Sequence, residues 1–145
     1  MPLNKSVLEL IAAADKARKK SDPSFSHFRV GAAIETKSGQ VYSAFNIESS
    51  SFGLSMCAER IAIWKAITFG ETDFRRVAIV SDADEFCPPC GACRQVMFEF
   101  AGDIDIFMTN RNGGVKKQKL SSLLPQAFTA ETMSRARKGS SVRRD

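Results

Sequence analysis

Residues 76–100 read RVAIVSDADEFCPPCGACRQVMFEF, and this stretch joins an apolar run, a cysteine-rich loop and a helical pattern. The run from Val77 to Val80 is continuous and apolar, which is typical of a strand covered on both faces. Three cysteines follow at three-residue spacing, and the helical pattern begins near Ala92. The stretch therefore predicts a strand that leads through the cysteine loop into a helix.

The rest of the chain continues this alternation of strands and helices. Ser6 and Glu9 fit a capping box at the start of a first helix. The predicted elements are a helix to about residue 20, strands over 28–36 and 41–47, a helix over 57–69, a strand over 76–81, a helix over 92–100, strands over 104–109 and 115–119, and a short helix near Thr129. We expect a three-layer α/β/α sandwich with a five-stranded mixed sheet.

Length and composition indicate one globular domain in a reducing compartment. The chain has 145 residues, of which 43% are apolar and 26% charged. The N-terminal MPLNKSVLEL lacks the pattern of a secretory signal, and no apolar run approaches the ~20 residues of a membrane span. We expect a cytoplasmic protein with no membrane contact. In a reducing compartment, clustered cysteines more often bind metal or take part in catalysis than form disulfides.

The net charge of +5 is concentrated at the C-terminus. The last eleven residues, RARKGSSVRRD, hold five basic residues and one acid. Such a segment cannot bury much apolar surface, so we expect a domain over 1–130, with 131–145 as the end of a helix and a basic, disordered tail. No aromatic residues are interleaved for base stacking, so a nucleic-acid partner is not favoured.

The positions of the cysteines indicate a metal centre. Cys57 lies at the start of one predicted helix, and Cys90 and Cys93 lie at the start of another. Helix N-termini carry free N–H groups and partial positive charge, which lower the pKa of a thiol. Three thiolates can hold one zinc ion and leave its fourth position open for water. Glu59 is not needed as a ligand, so it can act as general acid and base beside the metal.

Four other interpretations of the cysteines are open at this point. A closed zinc knot would use Cys87 as the fourth ligand and would make the chain a structural or binding module. The C-x₂-C-x₂-C spacing also begins like an iron–sulfur motif, and Cys87-Pro-Pro-Cys90 could pass for a redox pair. The thiols could instead be small buried hydrophobes. None of these alternatives explains Glu59, two residues after Cys57.

Two motifs carry a resemblance to a known family. Cys57-Ala-Glu-Arg60, followed by Pro89-Cys-Gly-Ala-Cys-Arg-Gln95, resembles the signature of the cytidine deaminase family, in its short homotetrameric branch with three cysteines. Weaker matches occur in the expected order: Phe28-x-Val-Gly-Ala-Ala33, Asn46-Ile-Glu48 and Leu123-Leu-Pro-x-x-Phe128. Phe52 and Phe25 stand where the family often has tyrosines, so both positions lack the phenol hydroxyl.

The resemblance implies an activity and a role for each matched residue. The activity is the hydrolysis of cytidine and deoxycytidine to uridine and deoxyuridine with release of ammonia, a step of pyrimidine salvage. A deaminase of the blasticidin S type is the nearest alternative. The implied roles are zinc binding, one ion per chain, by Cys57, Cys90 and Cys93; proton shuttling by Glu59; ribose binding by Asn46 and Glu48; pyrimidine contacts by Phe28 and the backbone of Ala58; completion of a neighbour's pocket by Phe128; and donation to the ligand sulfurs by Arg60.

Overall fold

A computed structural model describes residues 2–139, with side chains as far as Arg135, and places five strands in one sheet. The strands are β1 (Val30–Thr36), β2 (Val41–Phe45), β3 (Phe74–Ser81), β4 (Asp105–Thr109) and β5 (Val115–Lys119). Their order is β2-β1-β3-β4-β5; β3 and β4 pair in parallel, and the other neighbouring pairs are antiparallel. The predicted five-stranded mixed sheet is confirmed.

Helices cover both faces of this sheet. They are α1 (Lys5–Arg18), α2 (Ala58–Thr68), α3 (Gly91–Ala101), α4 (Leu120–Leu123) and α5 (Ala130–Gly139). Ala78 of β3 belongs to the core beneath α1, whereas its neighbours Val77 and Ile79 belong to the core beneath α2 and α3. Successive side chains of a strand point to opposite faces, so both faces of β3 are buried and its sequence is continuously apolar. The three-layer sandwich is confirmed.

Strand directions bring the predicted site residues to one edge of the sheet. β2 and β3 are each antiparallel to β1, so they run in the same direction and end at the same edge. Asn46 and Glu48 follow the end of β2, and the cysteine loop follows the end of β3. Phe28 precedes β1 at that edge, and a bridge between Ile47 and Met56 turns the chain back into α2.

The capping box predicted at the start of α1 is wrong. The N-cap is Asn4, whose Oδ1 accepts a hydrogen bond from Val7 N at 2.9 Å. Ser6 Oγ donates to the same oxygen and accepts from Arg76 Nη2 at 2.8 Å, so it ties the helix to β3. Asn and Ser are comparable N-caps. Ser6 instead bonds Arg76 of β3, a residue that is distant in the sequence.

The C-terminal helix extends further than predicted. α5 runs from Ala130 to Gly139, so the first five of the eleven residues predicted as a frayed tail are helical. Residues 140–145 of that prediction lie outside the described residues.

Within residues 2–139, no helix has the length and apolar character that crossing a membrane requires.

Gly31 allows β1 to pass directly beneath α1. A Cβ at this position would lie 2.0 Å from Ala14 O and 2.5 Å from Arg18 N. Both are helix backbone atoms, so they cannot rotate away as a side chain could. The packing of the α1 layer on the sheet therefore requires a residue without a side chain here.

We expect Gly31→Ala to lower the free energy of unfolding by about 3 kcal/mol, because overpacking a core typically costs ~1–3 kcal/mol and rigid backbone surrounds this site. Gly53→Ala is the matched control, since nothing lies within 4 Å of a Cβ there and its φ is not positive. Its change should stay below about 1 kcal/mol. Urea unfolding at one protein concentration compares the two, and equal losses would contradict the close approach of β1 to α1.

Candidate metal centre and active site

Three thiols from two helix starts converge at the shared edge of the sheet. Cys57 is the N-cap of α2, Cys90 is the N-cap of α3, and Cys93 lies in the first turn of α3. Their Sγ atoms all lie within 4.8 Å of one another. Cys57 and Cys90 are separated by 3.8 Å, and Cys90 and Cys93 by 3.4 Å.

These separations fit a zinc ion. In a tetrahedral site with Zn–S bonds of about 2.3 Å, neighbouring sulfurs lie about 3.8 Å apart. Three sulfur donors fill three of the four positions, and the thiol of Cys87 lies outside the cluster. Its Sγ instead faces the carbonyl oxygen of Pro88 at 3.8 Å. The residues therefore fit one zinc ion per chain with one position open to another ligand.

Arg60 offsets the negative charge of the thiol cluster. Its Nη2 donates to Cys57 Sγ at 3.5 Å. Hydrogen bonds from Cys93 and from Arg60 lower the pKa of the Cys57 thiol to about 5. The bond to Cys57, together with burial, raises the pKa of Cys93. Arg60 Nε is buried and has no hydrogen-bond partner among the described residues, so one further donor is available beside the thiols.

Glu59 is a buried acid next to the thiols. Only 5% of the residue is exposed. Burial is the main cause that raises the pKa of its carboxyl group to about 7, and charge on Cys57 raises it further. A carboxyl group with a pKa near the working pH can both accept and donate protons, which is the property required of a general acid and base.

A pocket of about 550 Å³ opens above this acid and two of the thiols. Cys57, Glu59 and Cys90 contribute to its lining. The apolar part of the lining includes Phe25, Phe28, Val30, Ile47, Phe52, Met56 and Pro88. Apolar walls with a few convergent polar groups are typical of a small-molecule site. An organic ligand in this pocket would lie directly beside the three thiols.

Asn46 lines the same pocket, and most of its amide group is already engaged. Its Oδ1 accepts from Ser21 Oγ at 2.7 Å and from Val30 N at 2.9 Å. Its Nδ2 donates to Phe28 O at 2.8 Å. An amide nitrogen carries two hydrogens, so one donor is left for a ligand. Asn46 thus fixes Phe28 in place and keeps a single N–H to offer.

Glu48 holds the loop that carries two aromatic walls of the pocket. Its carboxylate accepts from Phe25 N at 2.9 Å and from Ser26 N at 3.0 Å, and it also bonds Ser26 Oγ. The bond from the Ser26 hydroxyl is the largest of the effects that lower the pKa of Glu48. A carboxylate has about four acceptor sites, so this group can hold the loop and accept from a ligand at once.

Comparison with known proteins identifies the family. Residues 5–109 match the family described as the cytidine and deoxycytidylate deaminase zinc-binding region. The cytidine deaminase of Sporosarcina psychrophila is 40% identical over 131 residues, which are 90% of this chain and 96% of the relative. The chain belongs to the cytidine deaminase family. The resemblance inferred from its cysteine motifs is therefore confirmed.

Two further members support the same assignment of sequence and fold. The cytidine deaminase of Halalkalibacterium halodurans is 45% identical over 125 residues, which are 86% of this chain and 95% of the relative. The crystal structure of cytidine deaminase from Burkholderia pseudomallei matches with a TM-score of 0.82 and 39% identity. That match covers 87% of this chain and 100% of the other.

Two of the predicted substrate residues do not line the pocket of their own chain. Phe128, which the resemblance assigns to a neighbour's pocket, lies between α4 and α5 and is 61% exposed. Ala58 is fully buried in the first turn of α2, between Cys57 and Glu59. The other predicted substrate residues, Phe28, Asn46 and Glu48, all contribute to the lining.

Sequence reasoning missed the residues that hold the predicted ones in place. Ser21 bonds Asn46 across 25 residues, and Ser26 bonds Glu48 across 22 residues. Neither serine stands at a motif spacing, and serine is common in loops. No local signal in one sequence distinguishes such partners, because the contacts arise only when α1, the following loop and β2 meet.

We expect Cys87→Ser to retain one zinc ion per chain, because its thiol lies outside the cluster. Each of Cys57→Ser, Cys90→Ser and Cys93→Ser should abolish stoichiometric zinc binding, since two sulfur donors hold the ion far less tightly than three. Elemental analysis of the purified variants measures the ratio of zinc to protein. Loss of zinc from Cys87→Ser alone would instead indicate a closed four-cysteine knot.

Proposed function

We propose that this protein catalyses the hydrolytic deamination of cytidine and deoxycytidine to uridine and deoxyuridine, with release of ammonia. One observation carries the proposal: a buried carboxyl group, Glu59, lies beside three converging thiols in the lining of an apolar pocket. Metal-assisted hydrolysis needs both a metal site with an open position and a proton carrier next to it. Membership of the cytidine deaminase family supports the same chemistry.

Glu59 moves the protons of the reaction. Cys57, Cys90 and Cys93 would hold a zinc ion, which would supply the chemistry of acidifying a water molecule, as zinc does in related deaminases. The Glu59 carboxylate accepts the proton of the attacking water and delivers it to N3 of the cytosine ring. After attack at C4, Glu59 takes the proton of the new hydroxyl group and gives it to the amino group. Ammonia leaves, and the C4 carbonyl of uridine forms.

The pocket walls bind and orient the nucleoside. We assign the ribose hydroxyls to the free N–H of Asn46 and to the carboxylate of Glu48. The Phe28 ring packs on the pyrimidine. Because Asn46 and Glu48 already hold the aromatic loop, the site requires little rearrangement when substrate enters, which favours affinity.

The charge of the pocket favours a nucleoside over a nucleotide. The family description includes deoxycytidylate, which carries a phosphate group. Among the described residues that line the pocket, the charged ones are Glu48 and Glu59, and none is Lys, Arg or His. A phosphate close to Glu48 would meet like charge without a compensating cation, which disfavours binding.

We also propose that the enzyme is a homotetramer in which Phe128 completes the pocket of a neighbouring subunit. Exposed apolar side chains at and beside the pocket support this arrangement: Phe25, Ile47, Phe52 and Leu54 are each about half exposed or more. Burying such a surface favours association.

We place the enzyme in the cytoplasm, where the thiol ligands stay reduced. We assign its reaction to the salvage of pyrimidine nucleosides.

Ammonia release tests the activity directly. We expect the zinc-loaded protein to deaminate cytidine and deoxycytidine, to leave cytidine 5′-monophosphate and deoxycytidine 5′-monophosphate largely unreacted, and to be poor on blasticidin S. Enzyme-coupled detection of ammonia measures all five substrates on one preparation. Absence of turnover with both nucleosides, while zinc is present, would refute the proposed activity.

We expect Glu59→Gln to lower kcat by about 10⁴-fold or more, since general acid–base assistance alone is worth ~10²–10⁴-fold and this residue serves several steps. Glutamine keeps the side-chain size and removes no sulfur ligand, so zinc content should persist, and KM should change far less than kcat. Glu99→Gln, at an exposed site on α3, is the matched control and should retain full activity. Near-normal turnover by zinc-loaded Glu59→Gln would contradict the mechanism.

Mixed oligomers test whether Phe128 serves another subunit. Glu59→Gln chains retain Phe128, and Phe128→Ala chains retain Glu59, so each lacks one part of a shared site. We expect a mixture, after dissociation and reassembly, to be several-fold more active than the sum of the two separate variants. Light scattering gives the mass of the assemblies. Activity equal to that sum, or a fully active monomer, would overturn the shared pocket.

A further inference from the structure

Two polar side chains in the first turn of α3 connect the metal loop to the C-terminal segment. Arg94 directly follows the thiol of Cys93, and its Nε donates to Pro89 O at 2.7 Å, one residue before Cys90. Its Nη1 donates to Leu123 O at 2.8 Å. Gln95 Nε2 donates to Phe128 O at 2.8 Å. The same helical turn therefore contacts both the metal loop and the segment that carries Phe128.

The segment from Leu124 to Thr129 has few other attachments. Leu124 N donates to Leu120 O within the preceding turn, and Gln126 has a left-handed backbone with φ of 57°. Among the described residues, Gln95 makes the one hydrogen bond that joins residues 125–128 to the rest of the chain. The Phe128 ring is exposed and forms no hydrogen bond itself. The bond from Gln95 to the Phe128 carbonyl oxygen therefore fixes the position of the ring.

We propose that Arg94 and Gln95 are positioning residues that brace the Phe128 segment against the metal loop, so that metal binding at Cys90 and Cys93 fixes the surface presented to a second copy of this chain. The inference rests on the proposed function in one step, the entry of Phe128 into a neighbouring pocket. The brace itself follows from the three hydrogen bonds alone.

The chemistry of the two side chains suits a brace. Arg94 carries a planar, permanently charged group whose donors diverge in a fixed geometry, so it can bond two carbonyl oxygens on different segments at once. Hydrogen bonds from a charged donor are stronger than neutral ones. Cys90 and Cys93 directly precede Arg94 and Gln95 in α3, so metal binding at the two cysteines would hold the start of the helix from which both side chains project.

Hydrogen–deuterium exchange on the full chain, loaded with zinc, tests the brace. In Gln95→Ala, we expect the hydrogen-bonded amides at the two ends of the Phe128 segment, those of Leu124, Thr132 and Met133, to exchange about fivefold faster, as loss of one hydrogen bond implies. Zinc content and exchange in β3 should not change. Gln40→Ala is the matched control, because this glutamine is exposed in the β1–β2 turn. Exchange of the Leu124, Thr132 and Met133 amides equal to that of the control would overturn the proposal.

Zinc removal tests the link to the metal. Chelation should accelerate exchange over residues 87–95 and at Leu124, Thr132 and Met133 together; acceleration confined to 87–95 would overturn the link. If the metal-free chain exchanges faster in β3 as well, zinc-loaded Arg94→Gln provides the test with the metal in place. This variant should retain zinc and still show faster exchange at Leu124, Thr132 and Met133. Unchanged exchange there would overturn the role of Arg94.

A double-mutant cycle separates this inference from the shared pocket. If Gln95 acts through Phe128, Gln95→Ala should raise KM for cytidine in the native background and have no further effect in Phe128→Ala. An equal increase in KM from Gln95→Ala in both backgrounds would show that Gln95 does not act through Phe128. If Phe128→Ala leaves KM unchanged and mixed oligomers show no gain in activity, the proposal of a shared pocket is wrong. The exchange experiment still decides whether Arg94 and Gln95 brace the segment.

Discussion

Three sulfur atoms held within 4.8 Å of one another impose the constraint on which the rest of the site depends. Thiolates this close repel each other strongly unless cations and donors surround them. The fold provides two helix N-termini, the Arg60 guanidinium and room for a metal ion at one point. Their convergence requires β2 and β3 to end at the same edge of the sheet, and the antiparallel pairing of each strand with β1 ensures this.

The same constraint accounts for the properties of Glu59. Because it stands in the first turn of α2, two residues after Cys57, it cannot leave the buried region that the thiols occupy. Burial disfavours its ionised form, and the nearby sulfur charge adds to the effect. A carboxyl group that would be ionised on the surface is thus kept ready to exchange protons beside the metal. The acid–base function proposed for Glu59 depends on its position at the start of α2.

Substrate-binding and structural roles overlap around the pocket. Asn46 and Glu48 each use most of their hydrogen-bonding capacity to hold the loop that carries Phe25 and Phe28. Their substitution is therefore expected to disturb the pocket walls as well as the proposed ribose contacts. Gln95 extends this pattern, since a residue of the metal-binding motif bonds the backbone that carries Phe128.

The parts of the molecule that the sequence predicted are those set by short-range patterns. The strands follow from apolar runs, and the metal centre follows from cysteines placed at two helix starts beside Glu59. The N-cap of α1 was mispredicted because Asn4 and Ser6 are both good caps, and Arg76 of β3 bonds Ser6. The helix α4 and the bonds of Ser21, Ser26 and Gln95 were not predicted, since their partners lie 22 to 33 residues away in the chain or depend on packing.

The central claim is that a zinc centre with three sulfur ligands and one open position lies beside Glu59. X-ray absorption at the zinc edge of the loaded native protein counts those ligands directly. The account predicts three sulfur atoms at about 2.3 Å and one lighter atom, oxygen or nitrogen, in the fourth position. Four sulfur atoms would mean that Cys87 closes the site, and hydrolytic chemistry at the metal would then have no open position.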